Sequence, residues 1–207
     1  MENWQIYAIG FTAQILFSAR LLHQWLLSEK LKMVVTPTLF WKLSLFASFL
    51  LFVYGYLRDD FAIMFGQGIT YFIYIRNLYL QGTWQRLPFW LQWLLYLFPI
   101  GVISFFITFK SFHIDKLFLN EDIPFWLLAL GTSAQIIFNL RFIYQWVYSE
   151  KIRQSVLPLG FWVLSLFGAS LILIYAILRQ DPVLFIGHIL GSFIYVRNIV
   201  LSLKAYA

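Results

Sequence analysis

Two stretches of this chain read almost alike: RLLHQWLLSEK at Arg20–Lys30 and RFIYQWVYSEK at Arg141–Lys151, 121 residues further on. Each sets an arginine and a glutamine into an otherwise apolar run and closes on Ser-Glu-Lys. Laid one on the other at that offset, residues 10–80 and 131–201 share 31 identities in 71 positions without a gap. Leucine on leucine means little in an apolar chain, so the weight rests on polar, Gly, Pro and Trp matches. They include Gln14 on Gln135, Arg20 on Arg141, Gln24 on Gln145, Trp25 on Trp146 and Ser28-Glu29-Lys30 on Ser149-Glu150-Lys151. Further along come Pro37 on Pro158, Trp41 on Trp162, Ser44 on Ser165, Tyr54 on Tyr175, Gly66 on Gly187, and Tyr74, Arg76 and Asn77 on Tyr195, Arg197 and Asn198. The chain contains an internal repeat, and its fold has to be read as one.

Composition sets the solvent. Of 207 residues, 61% are hydrophobic, 21% aromatic and 12% charged, against about 25% charged in soluble domains. The apolar residues fall in blocks of about 20, the length at which a helix crosses a bilayer core. The blocks lack the alternation of a membrane barrel strand. An all-α integral membrane protein is expected, with spans at about 6–27, 37–57, 61–80, 88–109, 123–148, 158–178 and 182–203. Pro99 falls inside the fourth. The N-terminal MENWQIYAIGF has no basic n-region and reads as the start of a retained helix.

Three spans, a linking span and three more make a 3+1+3 arrangement, with both triplets entering the membrane from one side. The organisation expected is a first repeat at 1–80, a linker with the fourth helix at 81–122 and a second repeat at 123–207. Parallel repeats of this kind are related by a two-fold axis along the membrane normal and place a substrate path at their interface. Lys30, Lys32, Arg86, Lys151, Arg153 and Lys204 collect on one side, and Arg58, Lys110, Lys116 and Arg179 on the other with most of the acids. The positive-inside rule then puts the N-terminus outside and the C-terminus in the cytoplasm.

The composition also excludes chemistry. There is no cysteine, so neither disulfides nor thiolate metal sites arise. His23, His113 and His188 are too scattered to suggest a metal site, and no cofactor is expected. The net charge of +6 comes without a basic run, so membrane orientation accounts for it and nucleic acid does not. No nucleophile–base pair or carboxylate cluster stands out, so no catalytic residue is assigned and the chain reads as a non-enzyme.

What remains is polar residues at membrane depth. Gln14, Phe17, Arg20 and Gln24 lie on about a third of one helix's circumference, and Gln135, Phe138, Arg141 and Gln145 repeat the stripe with Asn139 nearby. Arg20 and Arg141 stand seven residues before the cytoplasmic helix ends, about 10 Å deep. A charge there costs several kcal/mol, at least about 2.5 on insertion scales, unless it meets water, a counter-ion or an anionic ligand. The spans carry almost no acid, which points to an anion from outside; arginine forks bind phosphate in bidentate fashion. Tyr74, Arg76 and Asn77, with Tyr195, Arg197 and Asn198, join these as substrate-binding candidates. Plainer roles are expected for others. Trp25 and Trp146 read as aromatic-belt residues, the Ser-Glu-Lys ends as local charge pairs, and Arg58 with Asp60 and Arg179 with Asp181 as loop ion pairs.

The pattern Q-x(5)-R-x(3)-QW-x(2)-SEK, then P-x(2)-FW-x(2)-S, then YxRN resembles the lipid A biosynthesis N-terminal domain family, over both 10–80 and 131–201. That family looks related to the SWEET and PQ-loop (MtN3-like) transporters, although Pro37-Thr38 and Pro158-Leu159 stand where a Pro-Gln pair would be. The resemblance implies a role in envelope glycolipid synthesis at the bacterial inner membrane. Joined to the arginines, it implies a flippase for a phosphate-bearing lipid, above all a polyprenyl-phosphate-linked sugar, among membrane lipids and beside a glycosyltransferase partner. In that reading Arg20, Arg76, Arg141 and Arg197 hold the phosphate, while Gln24, Gln145, Asn77 and Asn198 bond phosphate or sugar oxygens. The alternatives are a non-transporting accessory subunit of a glycosyltransferase and a SWEET-like carrier of free sugar.

Overall fold

A helix satisfies every interior backbone N–H and C=O within itself, which is why apolar blocks of this length fold as helices where water is scarce. The computed structural model describes residues 3–57, 61–109, 124–180 and 182–204; Arg58, Asp60, Lys110, His113, Lys116 and Asp181 lie outside them. Seven α-helices occur among the described residues and no strand. They are α1 (Asn3–Leu31), α2 (Thr38–Leu57), α3 (Phe61–Leu80), α4 (Phe89–Phe109), α5 (Phe125–Ile152), α6 (Leu159–Arg179) and α7 (Pro182–Lys204), with a 3-10 turn at Trp84–Arg86 between α3 and α4. The all-α class expected from the apolar blocks is therefore what the chain adopts. Among the described residues, three helical segments are long and apolar enough to cross a membrane: Thr38–Leu57, Phe125–Ile152 and Leu159–Leu178. A shorter apolar stretch runs Phe89–Phe105, and Pro99 sits inside α4 without ending it.

Helix boundaries follow the repeat. Proline opens them: the Phe40 and Phe161 amides donate to the carbonyls of Pro37 and Pro158, both at 2.9 Å. Proline suits this place because its missing N–H is one that a helix start leaves unbonded anyway. At the other end, Lys32 and Arg153 take the left-handed conformation, at φ 57° and 56°. Such a residue closes a helix by turning its amide back to the last carbonyls, here Glu29 O and Glu150 O.

By compactness the chain divides into two units, Met1–Arg20 with Pro37–Asn120, and Leu21–Thr36 with Glu121–Ala207. Thus α1 contributes its residues through Arg20 to the first unit and those from Leu21 onward to the second. In the first, α2 packs on α3, and α3 on α4 and the 3-10 turn. Phe52 and Met64 are fully buried there, with Tyr56, Phe98, Val102 and Ile103 around them. In the second, α5 packs on α6 and α6 on α7. Gly168 of α6 lies so close to α5 that a Cβ would stand 2.9 Å from the Phe138 Cα. The equivalent residue in the first half is Ala47, which is fully buried.

Candidate functional site

The first unit keeps a charge in its core. Arg20, on the stripe that starts at Gln14, is only 4% exposed. Its Nη1 donates to Ser44 Oγ, which in turn donates to the Phe40 carbonyl. The guanidinium carbon lies 4.5 Å from the ring centre of Phe17, 5.0 Å from that of Phe40 and 5.5 Å from that of Tyr74. Three aromatic faces around one desolvated cation are each worth up to about 2 kcal/mol. Trp41, fully buried, packs edge-on against Phe40 at 4.8 Å and against Tyr74 at 5.9 Å.

The second unit repeats the arrangement. Arg141 is 7% exposed, with its guanidinium carbon 3.3 Å from the Phe138 ring centre, 4.8 Å from Phe142 and 5.9 Å from Phe161. Trp162 packs against Phe161 at 4.9 Å and Tyr195 at 6.2 Å. Ser165 donates to the Phe161 carbonyl at 2.6 Å, as Ser44 does to Phe40.

The two tryptophans are what sequence reasoning missed. The indole N–H groups of Trp41 and Trp162 are both buried and have no acceptor among the described residues. A buried donor left unbonded costs about 1–3 kcal/mol. The two indoles stand at equivalent positions, each beside a ring that flanks the arginine. The matched pair was visible in the repeat, but a tryptophan in an apolar run reads as core.

The other candidates divide. The glutamines of the QW-x(2)-SEK motif tie down the chain that follows their helix. Gln24 Nε2 donates to Ser28 Oγ at 2.9 Å and to the Val35 carbonyl at 3.2 Å, while the Val35 amide donates to the same serine. Gln145 does the same with Ser149 at 2.8 Å and Val156 at 2.9 Å. Gln24 also exchanges hydrogen bonds with Asn198, at 2.9 and 3.2 Å. Asn77 and Asn198 are fully buried, and each donates to the carbonyl four residues back. Tyr74 and Tyr195 are buried in the aromatic clusters. Arg76 lies against the Tyr79 ring at 4.9 Å. Gln14, Gln135 and Asn139 are exposed, the last two beside a cavity of about 350 Å³.

Arg197 has a carboxylate. Its Nε donates to Glu29 Oε1, and its Nη2 to Oε2 at 2.9 Å. Glu29 also accepts from Trp25 Nε1 at 3.2 Å, so this tryptophan holds an acid, and its ring meets Phe193 at 5.6 Å. The Arg197 hydrogen bonds, with help from Trp25, hold the Glu29 carboxyl well below its ordinary range, at about 2. The expectation that the arginines lack an internal acid fails here. The last turns of α1 belong to the second unit and bring Glu29 to α7. Local pairing at the Ser-Glu-Lys ends is present too, with Glu150 on Arg153 at 2.9 Å and Glu29 on Lys32 at 3.8 Å. Among the described residues, no three His, Asp or Glu side chains gather where they would hold a metal ion.

The family described as Lipid A Biosynthesis N-terminal domain matches the chain twice, at residues 9–79 and 130–200. A lipid-A-disaccharide synthase of Chlamydia pneumoniae is 30% identical over 209 residues, which cover 96% of this chain and 34% of that protein. Proteins of the same name from Chlamydia caviae and Chlamydia trachomatis serovar D are 28% and 29% identical, over 86% and 94% of this chain and 30% and 33% of theirs. The chain thus spans about a third of the length of these relatives. No solved structure matches it. The names overturn the reading of the chain as a non-enzyme. Relatives that match it over most of its length are named for an enzyme, so it falls in an enzyme-related family with a role in the lipid A pathway.

Proposed function

This chain belongs to the lipid A biosynthesis N-terminal domain family, which it carries twice, and on that premise we propose that it is a membrane carrier for a phosphate-bearing lipid of the lipid A pathway. Seven helices span the bacterial inner membrane in the 3+1+3 order, with the N-terminus periplasmic and the C-terminus cytoplasmic. The lipid it moves is a polyprenyl-phosphate-linked sugar. The observation that carries this reading is the paired chemistry of the two units. Each buries an arginine among aromatic rings, and each buries beside those rings an indole N–H with no acceptor among the described residues. Guanidinium and indole are both pure donors. A site built twice from donors suits a ligand made of acceptors, and a lipid phosphate supplies oxyanion oxygens. Charge-assisted hydrogen bonds to such oxygens contribute about 1.5–3 kcal/mol each.

Proteoliposomes test it. A polyprenyl phosphate bearing a reporter sugar is placed in both leaflets, and its accessibility to a membrane-impermeant oxidant is followed over time. Wild-type protein is expected to expose the inner-leaflet lipid at a rate well above that of empty liposomes. The Arg20→Gln, Arg141→Gln variant is expected to remain at the background rate. Wild-type protein that gives no acceleration would rule out transport.

A second reading is supported by one observation. The relatives named lipid-A-disaccharide synthase extend through about twice as much additional chain. In that reading the chain presents the lipid to a glycosyltransferase. Lipid retention without exchange between leaflets would favour it.

A further inference from the structure

α5 exposes polar side chains along one face of a membrane-spanning length. Thr132, Gln135 and Asn139 are spaced three and four apart, so they share that face, and all three are exposed. They line a cavity of about 350 Å³ in the second unit, within the size range of small-molecule sites. Tyr175 of α6 forms its aromatic wall. The tyrosine lies flat because residue 131 is glycine: a Cβ there would stand 2.7 Å from the Tyr175 ring. No charged side chain lines the cavity. Three amide or hydroxyl groups exposed on a membrane helix are costly against lipid tails and need a hydrogen-bonding occupant.

The repeat shows which part of this cavity is special to one half. Gly10, Gln14 and Tyr54 stand in the first half where Gly131, Gln135 and Tyr175 stand in the second, and a Cβ on Gly10 would meet the Tyr54 ring at 3.0 Å. Two polar positions differ. Phe11 takes the place of Thr132, and Ser18 that of Asn139. The first half therefore has a phenylalanine where the second has a hydroxyl, and a short hydroxyl where the second has an amide.

We propose that this cavity is a sugar-reading site: Thr132, Gln135 and Asn139 bond the hydroxyls of a neutral sugar head while Tyr175 packs on its C–H face. Amides and hydroxyls both donate and accept, as sugar hydroxyls do, and an uncharged lining suits a neutral head. The inference rests on the proposed carrier function only for what the sugar is attached to. In that reading Arg141, of the same unit, is left to the phosphate, and selectivity for the sugar resides in the second half.

The test uses the full chain in lipid nanodiscs and the Thr132→Phe, Asn139→Ser variant, which carries the residues that the first half already accommodates. Native mass spectrometry measures competition between a polyprenyl phosphate and the same lipid bearing one hexose. Titration with octyl β-glucoside, below its micellar concentration, reads the sugar site without any phosphate. Wild-type protein is expected to prefer the hexose-bearing lipid at least tenfold and to bind the glucoside saturably. The variant is expected to retain the bare lipid as wild type does, with its preference reduced to within about twofold and its glucoside binding lost. If it melts early, Asn139→Leu alone carries the same test. A folded variant that keeps the preference would overturn the proposal, as would wild-type protein that binds the bare lipid but neither prefers the hexose nor binds glucoside. Glucoside binding without retention of either phosphate lipid would sustain the sugar site and count against the carrier reading.

Discussion

Arg141 and Arg197 belong to the same compact unit, yet the protein treats their charges in opposite ways. Arg197, on α7, is gripped through both ends of its fork by the Glu29 carboxylate. Arg141, on α5, lies on the faces of Phe138, Phe142 and Phe161. A carboxylate cancels a charge and takes up the donor edge of the guanidinium. Aromatic rings engage the guanidinium through their faces. Arg197 is therefore a fastening, and it joins the end of α1 to α7. Arg141 and its counterpart Arg20 are instead buried among aromatic rings in their own units, and under the proposed function these are the two that meet the lipid phosphate.

The two kinds of arginine are expected to respond differently to replacement. Replacing Arg20 and Arg141 by glutamine together removes two charge-assisted contacts, so retention of lipid phosphate is expected to fall on the order of a hundredfold or more. Arg197→Gln is expected to leave retention within about threefold of wild type and to lower the unfolding midpoint instead. Lipid carried through detergent purification measures the first effect and thermal unfolding the second.

Next comes the support of the ring beneath Arg141. Gly168→Ala drives a methyl against the Phe138 backbone, and overpacking of this kind costs about 1–3 kcal/mol. Ala47→Gly, the reverse change in the first half, is expected to cost only about 1 kcal/mol through helix propensity and lost packing. Denaturant unfolding of the two variants compares these costs; equal losses would mean that the α5–α6 approach is not tight.

A smaller effect isolates the indole N–H. Trp41→Phe and Trp162→Phe keep an aromatic ring and delete the donor. Because that donor has no acceptor among the described residues, its loss leaves no partner stranded. Lipid retention is nevertheless expected to drop about three- to tenfold in each, at about 0.5–1.5 kcal/mol per hydrogen bond.

The smallest effect belongs to the Glu29 fastening, which solvent screens. Its carboxyl is held at about 2 against an ordinary 4.5, so the pair contributes fully above pH 4.5. That contribution disappears as pH falls toward 2 and the carboxylate protonates. Glu29→Gln is expected to flatten the fall in unfolding midpoint across that window. An unchanged slope in the variant would mean that other carboxyls cause it.

Much of this was legible in the sequence. Helix number and approximate bounds followed from apolar block length and from the prolines that start the blocks. The place of Arg20 and Arg141 well inside their helices followed from their distance to the helix ends; their burial among rings did not. What was not legible depends on contacts between distant parts of the chain. Glu29 and Arg197 are 168 residues apart, and nothing local indicates that the end of α1 serves the second unit. The glutamines looked like ligand residues because their partners, Val35 and Val156, lie beyond the helix on segments whose return path the sequence does not define. The indole N–H groups of Trp41 and Trp162, without an acceptor among the described residues, were hidden because apolar context explains a tryptophan equally well. The chemistry of the relatives was out of reach for a different reason, since about two thirds of their length has no counterpart in this chain.

Native mass spectrometry of the protein taken from its membrane tests most directly whether Arg20 and Arg141 hold a lipid phosphate, with the Arg20→Gln, Arg141→Gln double variant and the Arg197→Gln variant alongside. A phosphate-bearing lipid is expected on wild type and on Arg197→Gln, and none on the double variant at unchanged helix content. The same lipid on all three would contradict this expectation and make Arg20 and Arg141 structural residues.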